Sequence, residues 1–544
     1  MICQVSIFVI FIGMLRVHSL SMKLTNRLSK GLVEGLRPSF SLQAKRHMSP
    51  RREGLGQPKG YSPSSQNLRY IVGEGAESGL PTKLSRGEPF VVLGIESSCD
   101  DTGASVVRSD GTILSNVVYS QHEIHEKFGG IVPSLAMNEH AKNIEVAVAE
   151  ALEQAGLASM DEIDAIAVTK GPGLEICLRV GCRKAQQLAI EYEKPFVTVH
   201  HLEAHCFMAR MAGNIIVEKE EEQSKSDSSD IADPYLKHFT PKVAFPFLAL
   251  LVSGGHTSLM VCGGVGNYEV IGGTLDDSVG ESFDKAARLL GLRNAGSGGA
   301  AIEAAARTSA EEARAVLIRE KAQAILKRLD EGAGTEILQG EEKDIIREFR
   351  RNSPVKACEL FGMKVPMRDK GGCDFSYAGL KNSFRMAVQR AREAEGLLGE
   401  GTNAPANQME EVNTEDVVSL SDSAAADLCY HFQDLAFTHL EDRLKRALDI
   451  VDKDGTLCSS LVVVGGVAAN ENLRRRLLDL LSARARSSGR QSLPLIFPPA
   501  SLCTDNGVMV AWAGIEKLSM GLSDSPHGQE VVPRWPLGTL RPKD

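Results

Sequence analysis

Two stretches about 150 residues apart carry the same local pattern, and a chain that repeats a unit of this size has few folds open to it. In the first, Phe90 to Ile95 is an apolar run of strand length and Glu96 to Gly103 a polar turn. Ala104 to Val107 and Ile113 to Tyr119 follow as two further strands around the turn Ser109-Asp110-Gly111. In the second, the strands are Phe247 to Val252, Ser258 to Cys262 and Tyr268 to Gly272, joined by turns at Ser253 to Thr257 and Gly263 to Asn267. Helical pattern comes after each unit. Phe283, Ala287 and Leu290 share one face, with Gly291 where a C-terminal cap belongs. Ile163 to Val168 is a strand ending at Gly171-Pro172-Gly173, before a helix through Arg183 to Ile190. Near the end, Leu461 to Val464 is an apolar strand and Gly465-Gly466 a tight turn; Asn470 starts a helix on Leu473, Leu477 and Leu481. The pattern predicts an α/β protein of two lobes with duplicated β-β-β-α units.

A chain of 544 residues has room for two such lobes and additions. Lobe I is expected over 89–212, completed by about 500–537, and lobe II over 245–499. Residues 1–52 hold nine Lys and Arg against Glu34 alone, which is the composition of an organelle presequence, mitochondrial by preference and plastid as the alternative. Val5 to Leu15 is apolar but too short to span a bilayer, and translation from Met14 or Met22 would remove much of it. Residues 53–88 read as a linker. Residues 213–244 form an acidic, Ser-rich insertion expected to be disordered, and 395–415 a flexible one. The third insertion, 304–352, predicts a charged helical hairpin. Ser309-x-x-Glu312 is a capping box, Ile318, Ala322, Ile325 and Leu329 form a stripe, and Gly332 ends the first helix. The eleven Cys fall singly without a Cys-x-x-Cys, which excludes a zinc knuckle and points to a reducing compartment. Of the net charge of −9, the first 52 residues hold about +8, leaving the body roughly −17. Bulk attraction to nucleic acid is therefore excluded, and any RNA contact must be a local basic patch.

Several residues carry chemistry. His201 and His205 are four apart, so on a helix both imidazoles leave one face, as two metal ligands must. Thirteen His also supply such a pair by chance, so the spacing leaves ordinary histidines as an open alternative. A zinc-protease motif needs Glu directly after the first His, and Glu203 stands one position too late. Asp505, in the acidic turn Cys503 to Gly507, offers a third, oxygen ligand. Glycine turns at Ser253 to Gly255, Gly298-Gly299 and Gly465-Gly466 suit close approach to phosphates and suggest a nucleotide cleft between two lobes. Asp100 and Asp101 either hold a ligand hydroxyl or only form a turn; Asp284 is a ligand or a solvated carboxylate; Asn470 is a ligand or a helix N-cap. His140 and His256 read as structural histidines. Basic faces at Lys381, Arg385 and Arg392, and at Arg474, Arg475, Arg476, Arg484, Arg486 and Arg490, are either solvated surface or, with Arg183 and Lys184, landing places for phosphates.

These runs together resemble the tRNA threonylcarbamoyladenosine synthase family, once called O-sialoglycoprotein endopeptidases, and particularly its organellar branch. The matching runs begin at Gly94 (GIESSCDDTGASVV), Gly129 (GGIVPSLA), Gly171 (GPGL), Val199 (VHHLEAH), Leu248 (LALLVSGGHTSL), Asp276 (DDSVGESFDKAARLLGL), Asp374 (DFSYAGLK), Val463 (VVGGVAAN) and Cys503 (CTDNGVMVAWAG). The resemblance implies the two-lobed fold of the actin, Hsp70 and sugar-kinase superfamily. It implies transfer of a threonylcarbamoyl group from threonylcarbamoyl-AMP, made by a separate synthase, to the N6 amine of adenosine 37 in tRNAs reading codons that begin with A. Carried over position by position, it assigns one divalent cation per subunit, iron or zinc, to His201, His205 and Asp505. It assigns the adenylate to Leu251, Val252, Ser253, Gly254, Gly255, Asp284, Gly299 and Asn470. Asp100 is the candidate general base; Arg183, Lys184, Lys381, Arg385, Arg474 and Arg475 are the candidate tRNA contacts. A homodimer without membrane attachment is expected. The chain departs from the family at Asp101, where Glu is usual, at Ser134, where Glu usually follows Val-Pro, and at Gly296-Ser297-Gly298-Gly299-Ala300 in place of Pro-Gly-Gly-Pro. The competing readings are a small-molecule kinase of the same fold, an idle tRNA-binding scaffold, and a peptidase.

Overall fold

The computed structural model describes residues 79–541, except 129, 212–215, 218–242, 293–296, 331–339, 352–360, 398–419 and 490. The presequence, residues 53–78 of the linker and most of the two flexible insertions lie outside the described residues, and the rest of the linker, 79–88, contains the short helix Thr82–Ser85.

The first sheet holds β1 (Val91–Glu96), β2 (Asp101–Arg108), β3 (Ile113–Ser120), β4 (Ala165–Gly171) and β5 (Phe196–His200), in the order β3-β2-β1-β4-β5. β1 pairs antiparallel with β2 and parallel with β4; β2–β3 is antiparallel and β4–β5 parallel. Then follow β6 (Ile216–Val217), β7 (Phe247–Val252), β8 (Thr257–Gly264), β9 (Asn267–Gly273), β10 (Leu461–Val464), β11 (Leu495–Phe497) and β12 (Thr539–Leu540). They form the second sheet, ordered β12-β9-β8-β7-β10-β11-β6. Its central five strands repeat the first sheet in both order and direction, with β7 antiparallel to β8 and parallel to β10. The duplicated, two-lobed α/β architecture that the sequence predicts is present.

The repeat has a physical cause in the burial pattern. β1, β4, β7 and β10 are almost continuously apolar and covered on both faces, as parallel central strands must be. One core under the first sheet is built on Leu93, Ile95 and Ile166, packed against Ile144 and Ala147 of the helix Pro133–Gln154. The second sheet carries the larger core, where Phe283, Phe432 and Phe437 meet. A third cluster belongs to both lobes. It gathers Val92 and Ala167 of one sheet and Leu251 and Val462 of the other around Met509 and Trp512. These last two sit on the helix Gly507–Ser519, which is buried nearly all round. Its approach to β1 is so close that a Cβ on Gly94 would lie 2.2 Å from the Gly507 carbonyl oxygen.

Four local expectations change. The turn expected over Glu96 to Gly103 shrinks to 97–100, because the ladder between β1 and β2 runs out to the pair Glu96 and Gly103. Gly298 and Gly299 do not form a turn after a strand; they are the first residues of the helix Gly298–Arg307, capped by Ser297, whose hydroxyl accepts the Ala300 N–H. The helical hairpin is present as Ala310–Asp330 and Glu341–Arg351, while Gly332 lies outside the described residues. Its capping box is not reciprocal. Ser309 N–H donates to Ala306, and the Glu312 carboxylate turns to Asn472 and Arg475, since burial against the helix Glu471–Ser488 offers it stronger partners than a helix end. Within the acidic insertion, Ile216–Val217 add a short antiparallel strand to β11.

Candidate metal centre

β5 ends at His200, and the ring of His200 starts the next helix. Its Nδ1 accepts the Leu202 N–H at 3.2 Å, which is an N-cap bond, and its Nε2 donates to the Trp535 carbonyl at 3.0 Å. The helix His201–Phe207 therefore begins with His201 and carries His205 one turn on. Their rings meet edge to face, with centroids 4.7 Å apart. Asp505 arrives from the turn before the helix Gly507–Ser519, where Asn506 accepts the Met509 N–H and sets the helix start. Its Oδ1 lies 3.0 Å from His205 Nε2 and 3.6 Å from His201 Nε2. One ligand atom from each of the three residues falls within 4.8 Å of the others.

Glu96, at the C-terminal end of β1, stands behind His201. Its Oε2 is 3.3 Å from His201 Nδ1 and accepts the Thr169 hydroxyl at 2.5 Å, while Oε1 accepts the Ser98 N–H at 2.5 Å. Ser98 Oγ is also 3.2 Å from the same Nδ1. Charge follows this packing. Burial presses the His201 imidazole down, yet Asp505 and Glu96 raise it to about 9. Burial opposes the Asp505 carboxylate as well, but His201 and His205 hold it well below the usual carboxylate range. Glu96 is lowered by His201 in the same way, against its own burial.

The neighbouring aspartates behave differently. Burial and the nearby charge of Asp505 raise the Asp100 carboxyl, and burial, Asp505 and Asp100 lift Asp101 to about 7. Asp101 Oδ1 is buried without a hydrogen-bond partner. Sequence reasoning put Asp100 ahead of Asp101. Both are buried to a similar degree; Asp101 is raised further by Asp100 and Glu96, whereas Cys99 and His125 hold Asp100 down, and those neighbours have no signature in the motif. His140 is a satisfied core histidine, bonded to Thr102 Oγ1 at 2.7 Å and the Cys99 carbonyl at 3.1 Å. His256 is half-buried, and burial, followed by the nearby His201 and His205, lowers its imidazole to about 4.

The glycine turn after β7 is closed by Ser253, whose N–H donates to the His256 carbonyl at 2.8 Å and whose Oγ accepts the His256 N–H at 3.1 Å. Gly254 and Gly255 are exposed at its tip, whereas Leu251 and Val252 are fully buried in β7 and shape it only from behind. The Ser278 hydroxyl donates to the Gly254 carbonyl and caps the helix Val279–Leu290, which carries Asp284. Asp284 is not a solvated carboxylate. Burial raises its pKa, and the amides of Gly298 and Gly299 oppose that rise. Asn470 caps its helix through Oδ1, accepting the Leu473 N–H at 3.0 Å, and its Nδ2 donates to Gln433 at 2.9 Å.

The basic candidates are scattered and mostly engaged. Arg183 is exposed, and Arg385 is half-buried. Lys184 pairs with Glu145 at 2.5 Å, Lys381 with Asp277 at 2.7 Å and Arg475 with Glu312 at 3.6 Å. Arg474 lies over the Phe497 ring at 4.6 Å and donates to the Ala468 carbonyl. Arg476 is no part of a solvated face: it is buried between Asp434 and Glu441, each at 2.6 Å. Helical spacing could not separate it from its neighbours, because the helix Glu471–Ser488 is charged on the side that packs as well.

The family model described as tRNA N6-adenosine threonylcarbamoyltransferase matches residues 112–218 and 231–512. A probable mitochondrial tRNA N6-adenosine threonylcarbamoyltransferase of Arabidopsis thaliana is 36% identical over 488 residues, covering 88% of this chain and 81% of that protein. A tRNA N6-adenosine threonylcarbamoyltransferase of Brucella ovis is 35% identical over 454 residues, covering 82% and 95%. Among solved structures, a ROK hexokinase from Thermus thermophilus aligns at 16% identity and a TM-score of 0.30, covering 78% of this chain and 97% of that one.

Proposed function

The chain belongs to the tRNA N6-adenosine threonylcarbamoyltransferase family, and from that premise we propose how its crevice works. It is an acyltransferase of tRNA modification. It moves the L-threonylcarbamoyl group of threonylcarbamoyl-AMP to the N6 amine of adenosine 37 in tRNAs that read codons beginning with adenine, releasing AMP. The observation that carries the mechanism is the meeting of His201 and His205 with Asp505, three hundred residues further along the sequence, beside the ends of β1 and β5.

Two imidazole nitrogens and one carboxylate oxygen are a donor set suited to zinc or iron, and they leave coordination positions for substrate oxygens. Ligands of one tetrahedral ion at roughly 2.0–2.1 Å stand about 3.3 Å apart, so the 4.8 Å cluster needs only a small closure. A divalent cation held there would polarise the carbamoyl carbonyl and stabilise charge as AMP leaves. The residues of the chain do the rest. The exposed amides of Gly254 and Gly255 suit the adenylate phosphate, and the Asp284 carboxylate, oriented by the Gly298 and Gly299 amides, suits the ribose hydroxyls. Gly299 brings no side chain to that approach, and we assign the Ser253 turn and Asn470, whose amide is held by Leu473 and Gln433, to the surroundings of the same ligand.

N6 of adenine is a poor nucleophile, so holding it against the carbonyl supplies much of the rate. Its proton must also leave. Asp101 is the carboxylate we assign to take it, with Asp100 the alternative. Arg183 and Arg385 are the basic side chains we assign to tRNA phosphates. A mitochondrial address, a homodimer and a separate synthase for the adenylate complete the reading. Among the described residues no helix is long and apolar enough to cross a membrane.

Nucleoside mass spectrometry of mitochondrial tRNA, with and without the protein and with His201→Ala, tests it. Threonylcarbamoyladenosine should vanish without the protein and stay absent with the variant. Unchanged levels in either case defeat the reading.

A further inference from the structure

We propose that Glu96 is a positioning residue for the metal centre: it accepts the Nδ1–H of His201 and thereby turns the Nε2 lone pair toward Asp505. The inference rests on reading His201, His205 and Asp505 as metal ligands.

The geometry that points to it lies behind the ligands rather than among them. Glu96 is completely buried, and it does not belong to the converging group of three. Its two oxygens already receive a hydroxyl from Thr169 and a backbone amide from Ser98. These two neutral donors fix the carboxylate plane, and Oε2 is left 3.3 Å from His201 Nδ1. A neutral imidazole carries its proton on one nitrogen, and an anionic acceptor at Nδ1 selects that tautomer. Nε2, on the other side of the ring, is then the lone pair, and it lies 3.6 Å from Asp505 Oδ1, where an ion shared with that carboxylate would sit. Ser98 Oγ, at 3.2 Å from the same Nδ1, is a second acceptor but an uncharged one. Carboxylates in this relation to a ligating histidine orient the ring and raise its basicity, and losing one typically weakens metal affinity about 10–100-fold.

The fold supplies the arrangement without help from the ligand helix. Glu96 is the last residue of β1 and Thr169 lies in β4, its parallel neighbour, so the carboxylate is held by the ladder of the central sheet. His201 comes from the end of β5, on the far side of β4.

The test uses the full chain, stripped of metal and titrated with Zn²⁺ against a chromophoric chelator, with Co²⁺ absorption recorded in parallel. Wild type should bind one Zn²⁺ per chain and His201→Ala should not. Glu96→Gln keeps the shape and an acceptor oxygen but loses the charge. It should bind Zn²⁺ about 10–100-fold more weakly and shift the Co²⁺ bands, with the metal-free circular dichroism spectrum showing that it still folds. Ser98→Ala should change affinity less than about threefold, as expected for a neutral partner. If Glu96→Gln does not fold, Thr169→Val, which removes a hydroxyl from the carboxylate, decides instead through a weakened affinity. Wild-type affinity and Co²⁺ spectrum in Glu96→Gln, or in Thr169→Val when that variant must decide, overturn the inference and leave the ligand assignment standing. A wild type that takes up no Zn²⁺, or a His201→Ala that still binds it, overturns the ligand assignment itself.

Discussion

The Tyr268 hydroxyl donates to the Glu203 carboxylate at 2.6 Å, and this bond fastens the helix carrying His201 and His205 to the β8–β9 hairpin of the other sheet. The same oxygen accepts the Gly266 N–H at 2.9 Å, and Lys517 stands 3.5 Å from its partner oxygen. Glu203 is thus a strut between the lobes, with its carboxylate spent on structure. Tyr268→Phe removes one donor from a buried carboxylate and should cost about 1–3 kcal/mol. Denaturant unfolding of the metal-free protein measures it, and a loss below about 0.5 kcal/mol would mean the strut carries little.

His205→Ala and Asp505→Ala should each abolish stoichiometric metal content and lower threonylcarbamoyl transfer at least about 100-fold, beyond what losing an outer partner does. Elemental analysis and a tRNA modification assay on the same preparations check the pair. Full activity in a variant without metal would separate the cluster from the chemistry.

Asp101 gives the metal-free protein a pH dependence of definite sign. Its folded pKa, about 7, lies above the ordinary 3.8, so the protonated form favours the fold. That contribution is whole below about pH 4 and is lost as pH rises through 7. Asp101→Asn should therefore match wild type near pH 4 and be more stable at pH 8, by the order of 1–3 kcal/mol given partial solvation. Thermal melts across that range in chelator test it. If Asp101 also takes the N6 proton, Asp101→Asn retains its metal but loses most of the transfer rate.

Gly465, which ends β10, has φ +95°, and a Cβ there would lie 2.4 Å from the Val252 carbonyl oxygen. Gly465→Ala should destabilise by more than about 1 kcal/mol and pull the Ser253 turn from its place, because neither backbone can yield. The adenylate should then bind more weakly, as calorimetry with AMP would detect.

Arginines alike in sequence should separate in experiment. Arg476→Ala leaves Asp434 and Glu441 buried without their cation and should cost roughly 3–5 kcal/mol. Arg183→Ala should leave stability alone and lower the slope of tRNA affinity against salt by about one. Salt-dependent binding and unfolding curves distinguish them; the reverse assignment would relocate the RNA surface.

The duplicated strands, the His pair on its helix, the Asn470 cap and the Gly291 cap were all legible in the chain, because each depends on residues a few positions apart. Strand periodicity, helical spacing and capping chemistry are local physics, and local physics is written locally. Tertiary structure decided the rest. It brought Asp505 to His205 across three hundred residues, placed Glu96 behind His201, made Asp101 more perturbed than Asp100, and buried Arg476 while leaving Arg183 in water. Those outcomes depend on how much water and which charges surround a side chain once two sheets have closed around one helix, and no run of neighbouring residues contains that quantity.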